Sequence, residues 1–163
     1  MATILNPNRR KANQVPILLI ENNADQWLII RSALSQCIPE VDPIWITNAA
    51  QSLTHLENCS PEKTNIPRLI LMELYLPRRD DGLALLASIK RHPAYRQVPV
   101  IILSNSNDYN DIIETYQYGI ASYMVKPSTF QEWLVGFYTF RRFWWDWFSL
   151  SFRSSQTDGA YLN

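Results

Sequence analysis

Two hydrophobic patterns alternate along the chain. Short apolar runs predict strands buried on both faces, and apolar residues spaced by three and four positions predict amphipathic helices. The predicted strands are 15–20, 41–46, 69–74, 98–103 and 121–125. The predicted helices are 24–37, 49–56, 82–92, 108–118 and 129–148. This alternation predicts a doubly wound five-stranded parallel sheet of the α/β class, with helices on both faces.

The last two helices carry local signals beyond their periodicity. In the fourth helix, Ile112, Ile113 and Tyr116 are predicted to face the core, and Gly119 is predicted to end the helix. The last helix opens with the T-x-x-E pattern of a capping box at Thr129. These signals fix where both helices begin or end relative to the sheet.

Polar side chains follow four of the predicted strands. Glu21 and Asn22 come after the first strand, and Glu73 lies near the end of the third. Ser104 follows the fourth strand and Lys126 follows the fifth. Taken alone, Glu21 or Asn22 is better explained as a helix cap, Ser104 as a turn cap and Lys126 as a solvated charge. Because the carboxyl ends of parallel strands meet at one edge, where ligands bind in such sheets, their joint occurrence predicts a functional site.

Composition narrows the classes of function. The 163 residues include 15 Lys+Arg and 15 Asp+Glu, and this balance argues against a general nucleic-acid binder. No apolar run reaches the roughly 18 residues of a membrane span, and the polar N-terminus does not resemble a secretory leader. Cys37 and Cys59 lack metal-ligand or disulfide-framework spacing, which suits a reducing cytoplasm. We expect a flexible arm at 1–13, one domain at 14–148 and a tail at 149–163.

Four segments carry a family resemblance: ILLIENN, LILMELYLPRRDDG, VPVIILSNS and ASYMVKP. Over roughly residues 15–140 the chain resembles the receiver domain of a two-component response regulator, which implies a flavodoxin-like (βα)5 fold. LPRRDDG, IKRHPAYRQVPVIILSNS and the aromatic FW of the last helix resemble small single-domain regulators that partner bacterial phytochrome kinases. The resemblance implies a cytoplasmic signalling protein whose partner is a histidine kinase or another signalling protein.

The resemblance also assigns positions in the site, with two departures. Glu21 occupies the first acidic position of the family, but Asn22 stands where the second acidic residue binds the metal. Glu73 stands at the phosphoacceptor position, which is Asp in the family. One additional residue between Glu73 and Gly82 is expected to alter the loop near Tyr75. In the family this loop carries the backbone carbonyl group that helps to hold the metal.

Three other positions match the family pattern. Ser104 corresponds to the hydroxyl that binds the phosphoryl group, and Lys126 to the lysine that neutralises its charge. The bond from Lys126 to Pro127 is often cis in this family. Tyr123 corresponds to the aromatic switch residue.

Glu73 is the departure with the largest chemical consequence. Its extra methylene moves the carboxylate by about 1.5 Å, and a misplaced nucleophile loses on the order of a hundredfold in rate. The carboxylate is expected instead to pair with Lys126, accept from Ser104 and imitate the phosphorylated state. We therefore expect a pseudo-receiver that requires no cofactor and has at most a weak magnesium site at Glu21, Asn22 and Glu73.

Two alternatives stay open for the same site. One is a receiver that is still phosphorylated. The other is a small metal-assisted enzyme with Glu73 or Glu21 as a base and Lys126 as an electrophile. The chain has 4 Gly and 2 His, without a Gly-rich phosphate loop or a paired catalytic His, and so favours a signalling module over an enzyme.

The last helix is unusually aromatic, and the first 129 residues contain no Phe. One stripe is expected to pack on the sheet and comprises Phe130, Trp133, Leu134, Phe137 and Tyr138. The following aromatic residues go round the whole helix and are Phe140, Phe143, Trp144, Trp145, Trp147 and Phe148. A helix that is apolar all round marks an interface. We expect a homodimer through the fourth helix, fifth strand and fifth helix; a docking face for another protein and a membrane-surface helix are the alternatives.

Overall fold

The computed structural model describes residues 14–59, 62 and 65–145. The predicted arm at 1–13, the tail at 149–163, and the interface candidates Trp147 and Phe148 lie outside the described residues. The backbone of Trp144 and Trp145 is described, but their side chains are not.

The described chain forms one parallel sheet that is flanked by helices. The strands are β1 Val15–Ile20, β2 Val41–Ile46, β3 Ile70–Met72, β4 Val100–Ser104 and β5 Ser122–Val125. The helices are α1 Ala24–Cys37, α2 Ala49–Glu57, α3 Arg79–Arg91, α4 Tyr109–Gln117 and α5 Phe130–Phe140. The strand order is β2-β1-β3-β4-β5, with every neighbouring pair parallel. The predicted doubly wound, flavodoxin-like α/β fold is confirmed.

Two hydrophobic clusters cover the faces of the sheet. Leu18 and Ile20 of β1 pack with residues of α2 and α3, while Ile17 and Leu19 pack with residues of α1 and α5. Successive side chains of a strand point to opposite faces, so a strand buried on both sides must be apolar throughout. None of the helices in the described ranges is long and apolar enough to cross a membrane.

Gly82 brings α3 against the loop that follows β3. A Cβ atom at this position would lie 1.7 Å from the carbonyl oxygen of Leu74, so a side chain here would displace the backbone. The helix begins at Arg79, earlier than predicted, because Asp81 accepts a hydrogen bond from the Arg78 backbone and pairs with its guanidinium. This contact positions the loop that directly follows Glu73.

The inward face of α4 differs from the prediction. Asp111 and Thr115 are buried, whereas Ile113 and Tyr116 are exposed and Ile112 is half-buried. The predicted core-facing positions of α4 were therefore wrong, by about one residue along the helix. Burial of two polar residues is possible because their side chains have hydrogen-bond partners.

The last helix is shorter than predicted. It ends at Phe140 and continues as a π-helical turn, Arg141–Trp145, so one α-helix to residue 148 is wrong. At this point the Arg141 guanidinium hydrogen-bonds to the Cys37 carbonyl oxygen at 2.9 Å and pairs with Glu40 at 2.6 Å. Tertiary contacts at the end of α1 thus override the simple helical repeat.

The core stripe of α5 is only partly as predicted. Trp133 and Phe137 are buried and Leu134 packs against the same cluster, but Phe130 and Tyr138 are exposed. Phe130 is the first residue of the helix, where the capping box at Thr129 forms as predicted. The left-handed φ of +86° at Gly119 likewise agrees with the predicted end of α4.

Candidate functional site

Four of the predicted site residues meet at the carboxyl edge of the sheet. Glu21 follows β1, Glu73 follows β3, Ser104 ends β4 and Lys126 follows β5. Their relative exposures are 1, 5, 1 and 8% respectively, so the charges of the site are withdrawn from water. Buried charges persist only when they are paired and hydrogen-bonded, so the contacts of each group define the site.

The Glu73 carboxylate is the centre of the cluster. Its Oε1 accepts hydrogen bonds from Ser104 Oγ at 2.7 Å and from the backbone N–H groups of Leu74 at 2.7 Å and Tyr75 at 3.0 Å. Its Oε2 lies 2.6 Å from Lys126 Nζ. A hydroxyl, an ammonium group and two backbone amides therefore surround this carboxylate.

Lys126 joins the two buried carboxylates. Its Nζ lies 2.7 Å from Glu21 Oε2, and Glu21 Oε1 accepts from the Asn23 backbone N–H at 3.0 Å. Two carboxylates and one ammonium group leave the cluster with one excess negative charge. Backbone N–H groups carry partial positive charge and compensate part of that excess.

The residues present do not fit a divalent cation in this arrangement. Each oxygen of Glu21 and Glu73 already has a hydrogen-bonding or ion-pairing partner. Asn22 is exposed and takes no part in the cluster. Magnesium needs hard oxygen ligands, and the described ranges contain no group of three or more His, Cys, Asp or Glu able to hold a metal.

Tyr123 connects the switch position to the β4–α4 loop. Its hydroxyl donates a 2.8 Å hydrogen bond to the carbonyl oxygen of Ser106, and burial raises the pKa of the phenol. The Lys126–Pro127 bond is trans, the lower-energy isomer, rather than cis as the resemblance suggested. The cis X-Pro bond of the described ranges lies between Leu76 and Pro77.

A second polar cluster, absent from the sequence predictions, borders the first. Asp111 at the start of α4 accepts from Tyr75 Oη at 2.9 Å, Ser106 Oγ at 2.5 Å and Arg79 Nε at 2.5 Å. Arg79 also pairs with Glu114. We call these five residues the Asp111 clamp. It links the loop after Glu73 with the loop after Ser104 and with α4.

The clamp shifts the acidity of its own members. Burial alone would raise the pKa of Asp111, but the hydrogen bonds from Ser106, Arg79 and Tyr75 outweigh it and hold the pKa below its ordinary value. The hydrogen bond to the Asp111 carboxylate raises the pKa of Tyr75. The clamp therefore keeps Asp111 ionised and Tyr75 protonated. The clamp joins polar residues from distant parts of the sequence. The spacing of apolar residues therefore could not predict it.

Of the predicted interface residues, the structure describes two side chains. Phe140 is half-buried and packs against the cluster beneath α5, whereas Phe143 is 67% exposed. Other exposed apolar side chains lie on the same group of elements: Ile113, Tyr116, Val125 and Val135. Exposed apolar side chains therefore occur on each of α4, β5 and α5.

Comparisons with known proteins agree with the fold. The sequence model of the response regulator receiver domain matches residues 17–135. A probable methanogenesis regulatory protein of Methanothrix harundinacea, FilR2, is 28% identical over 80% of this chain and 84% of its own length.

Cyanobacterial proteins are also similar. The response regulator Rcp1 of Synechocystis is 26% identical over 71% of this chain and 79% of its own length. The crystal structure of the phosphorylated cyanobacterial phytochrome response regulator RcpA superposes with a TM-score of 0.71 at 26% identity, covering 80% of this chain and 94% of that one. With the receiver-domain match extending from β1 into α5, this chain belongs to the response regulator receiver domain family.

Proposed function

We propose that this protein is a cytoplasmic single-domain response regulator of a phytochrome-linked two-component system, and that it acts as a pseudo-receiver. The observation that carries the proposal is the placement of the Glu73 carboxylate against both Ser104 and Lys126. The phytochrome link rests on the similarity to Rcp1 and RcpA. In this proposal the kinase partner is retained for binding, and no cofactor is required.

Phosphoryl-transfer chemistry explains why this placement supports mimicry. A phosphoryl group on an acceptor carboxylate needs a cation and hydrogen-bond donors around its oxygens. Here Lys126 and Ser104 already provide these contacts to Glu73 itself. The same contacts make Glu73 a poor nucleophile, because an attacking oxygen must first give up its partner. Glu73 thus substitutes for the phosphorylated acceptor and resists phosphorylation.

Incubation with acetyl phosphate and magnesium, followed by intact-mass measurement, tests the loss of phosphorylation. We expect no phosphoryl gain by the parent protein and a base-labile gain of one group by the double variant Asn22→Asp with Glu73→Asp. Glu73→Gln is the matched negative control, since an amide cannot form an acyl phosphate. A stoichiometric, base-labile gain by the parent would instead support the alternative of a functioning receiver.

Association is the proposed output, and a homodimer through α4, β5 and α5 is its simplest form. The exposed side chains of Val125 and Phe143 lie on this surface, and apolar patches of this kind mark interfaces. Light scattering is expected to give a dimer for the parent and at least a tenfold weaker dimer for Phe143→Ser. Leu28→Ser is the control, because Leu28 is also apolar and exposed but belongs to α1, outside the proposed interface elements. A monomeric parent would exclude the homodimer.

Mimicry is tested by the same measurement on Glu73 variants. Glu73→Gln keeps the size of the side chain but removes the charge that pairs with Lys126. We expect Glu73→Gln to weaken association, and Glu73→Asp, which shortens the reach towards Ser104 and Lys126, to do the same. Equal association by the parent and both variants would refute mimicry and leave an inert site.

A further inference from the structure

The helix α4 has little apolar contact with the rest of the domain. Its buried residues are Asp111 and Thr115, and Ile112 is only half-buried. Among the described residues, neither hydrophobic cluster of the sheet includes a side chain of α4, whereas α3 contributes Leu86 and Ile89, which are fully buried. Burial of apolar surface is the main force that holds a helix on a sheet. The position of α4 therefore depends on its polar contacts.

The Asp111 clamp provides polar contacts between α4 and the stretch of chain that follows β3. The Thr115 hydroxyl donates to the Asp111 carbonyl oxygen at 2.8 Å, so this bond stays within the helix. The Asp111 carboxylate instead accepts from Tyr75 Oη at 2.9 Å and from Arg79 Nε at 2.5 Å. Arg79 also pairs with Glu114, on the next turn of α4. The stretch after β3 therefore holds α4 through two carboxylates.

Tyr75 contacts the edge cluster and α4 at the same time. Its backbone N–H donates to Glu73 Oε1 at 3.0 Å, while its side-chain hydroxyl donates to Asp111 on α4. Both acceptors are carboxylates, and a hydrogen bond to an ionised acceptor is roughly twice as strong as one to a neutral acceptor. A single residue thus connects the carboxylate at the edge of the sheet with the carboxylate that holds α4.

A second path leads from Glu73 to the β4–α4 loop without Tyr75. Ser104 Oγ donates to Glu73, and the Ser106 backbone N–H lies 3.4 Å from Ser104 Oγ. Tyr123 Oη then donates to the carbonyl oxygen of Ser106 at 2.8 Å. The 3.4 Å contact exceeds the usual N–H···O distance, so this path contains a weak step. Tyr75→Phe and Tyr123→Phe each remove a hydrogen bond from one path, so the two paths can be tested separately.

We propose that Tyr75 and Asp111 couple the Glu73 carboxylate to α4, so that loss of the charge at Glu73 loosens α4 by a path that does not pass through Tyr123. The outer side of α4 carries exposed apolar side chains, and the coupling sets how firmly they are held in place. The inference does not depend on the pseudo-receiver proposal. It concerns how a change at the edge of the sheet reaches α4, and it holds whether Glu73 imitates a phosphoryl group or is inert.

Hydrogen–deuterium exchange of the α4 amides, measured by mass spectrometry on the full chain, tests the attachment of α4. Local opening of a helix exposes its amides, so their exchange rate reports how firmly the helix is held. We expect Tyr75→Phe to raise this rate by about tenfold, because the lost hydrogen bond has a charged acceptor, and to leave exchange in α2 unchanged. Tyr109→Phe is the matched control, because it also removes a phenol hydroxyl, but from a side chain of α4 that is 74% exposed. Equal exchange by Tyr75→Phe and the parent would refute the proposal.

Glu73→Gln, introduced into the parent and into both tyrosine variants, tests the path. In the parent it should raise α4 exchange severalfold, because a neutral amide is a weaker acceptor for the Tyr75 N–H. In the Tyr75→Phe background it should leave α4 exchange unchanged, since the link is already broken, and in the Tyr123→Phe background it should keep its full effect. No effect in the parent, a full effect in the Tyr75→Phe background, or a lost effect in the Tyr123→Phe background would each overturn the proposal. Phosphorylation of the parent is measured separately by intact mass, so failure of this coupling and failure of the pseudo-receiver proposal are distinguishable.

Discussion

At the scale of single residues, Lys126 has the most demanding role in the edge cluster. Among the described residues it is the one cationic side chain that forms ion pairs with Glu21 and Glu73, and all three are buried. Removing one member of a buried ionic group leaves the rest uncompensated, and this costs far more than the intact pair contributes. The cluster should therefore be intolerant of changes at Lys126.

Lys126→Met tests this dependence. The variant keeps the length and the apolar stem of the side chain but leaves two buried carboxylates without their cation. We expect the free energy of unfolding in urea to fall by about 3–5 kcal/mol at neutral pH. Arg78→Met is the control, since the Arg78–Asp81 pair is exposed and screening by solvent keeps the contribution of such pairs small. Equal losses in the two variants would show that the edge cluster is no more tightly coupled than a surface pair.

At the scale of elements, α4 shows where sequence patterns stop being informative. The pattern of apolar residues located α4 correctly but assigned the wrong inward face, because periodicity scores Ile113 and Tyr116 as core and Asp111 as surface. What buries Asp111 is its set of partners, Tyr75 and Arg79, which are over thirty positions away. By contrast, the edge residues were predictable because each lies at or directly after the carboxyl end of a strand.

The Asp111 clamp gives α4 a pH-dependent contribution to stability. Hydrogen bonds hold the folded-state pKa of Asp111 below the ordinary value of 3.8, so its ionised form stabilises the folded state. That contribution is complete above pH 3.8 and is lost as the pH falls through the lower folded-state pKa. We expect Asp111→Asn to lower the free energy of unfolding by about 1–3 kcal/mol at neutral pH. The difference from the parent should shrink below pH 3.8 in urea titrations; a constant difference would contradict the assignment.

At the scale of the whole molecule, strand order and charge placement act together. The sheet brings the carboxyl ends of β1, β3, β4 and β5 to one edge, and three buried charged residues of the described part, Glu21, Glu73 and Lys126, lie there. Fold class and the convergence of Glu21, Glu73, Ser104 and Lys126 followed from the order of strands and polar residues. The sequence could not predict that every carboxylate oxygen of the cluster already has a hydrogen-bonding or ion-pairing partner. That saturation depends on interatomic distances, which no sequence pattern encodes.

That saturation predicts how the whole protein responds to magnesium. Because both carboxylates are already engaged, saturating magnesium is expected to leave the melting temperature of the parent unchanged. Asn22→Asp with Glu73→Asp restores the acidic set of the family and frees oxygen ligands, so magnesium should stabilise that variant. Ligand at a hundredfold excess over its Kd contributes about 2.7 kcal/mol, which raises the melting temperature of a domain this size by roughly 5–10 °C.

Calorimetric scans with and without magnesium measure both responses. Glu73→Asp alone separates the two substitutions: it should respond less than the double variant, because Asn22 remains neutral and exposed. A rise for the parent as large as that of the double variant would mean that magnesium displaces Lys126 from Glu21 or Glu73. In that event the ion pairs at the edge would be a resting arrangement that the metal opens, and the Glu73 carboxylate would not stand in permanently for a phosphoryl group.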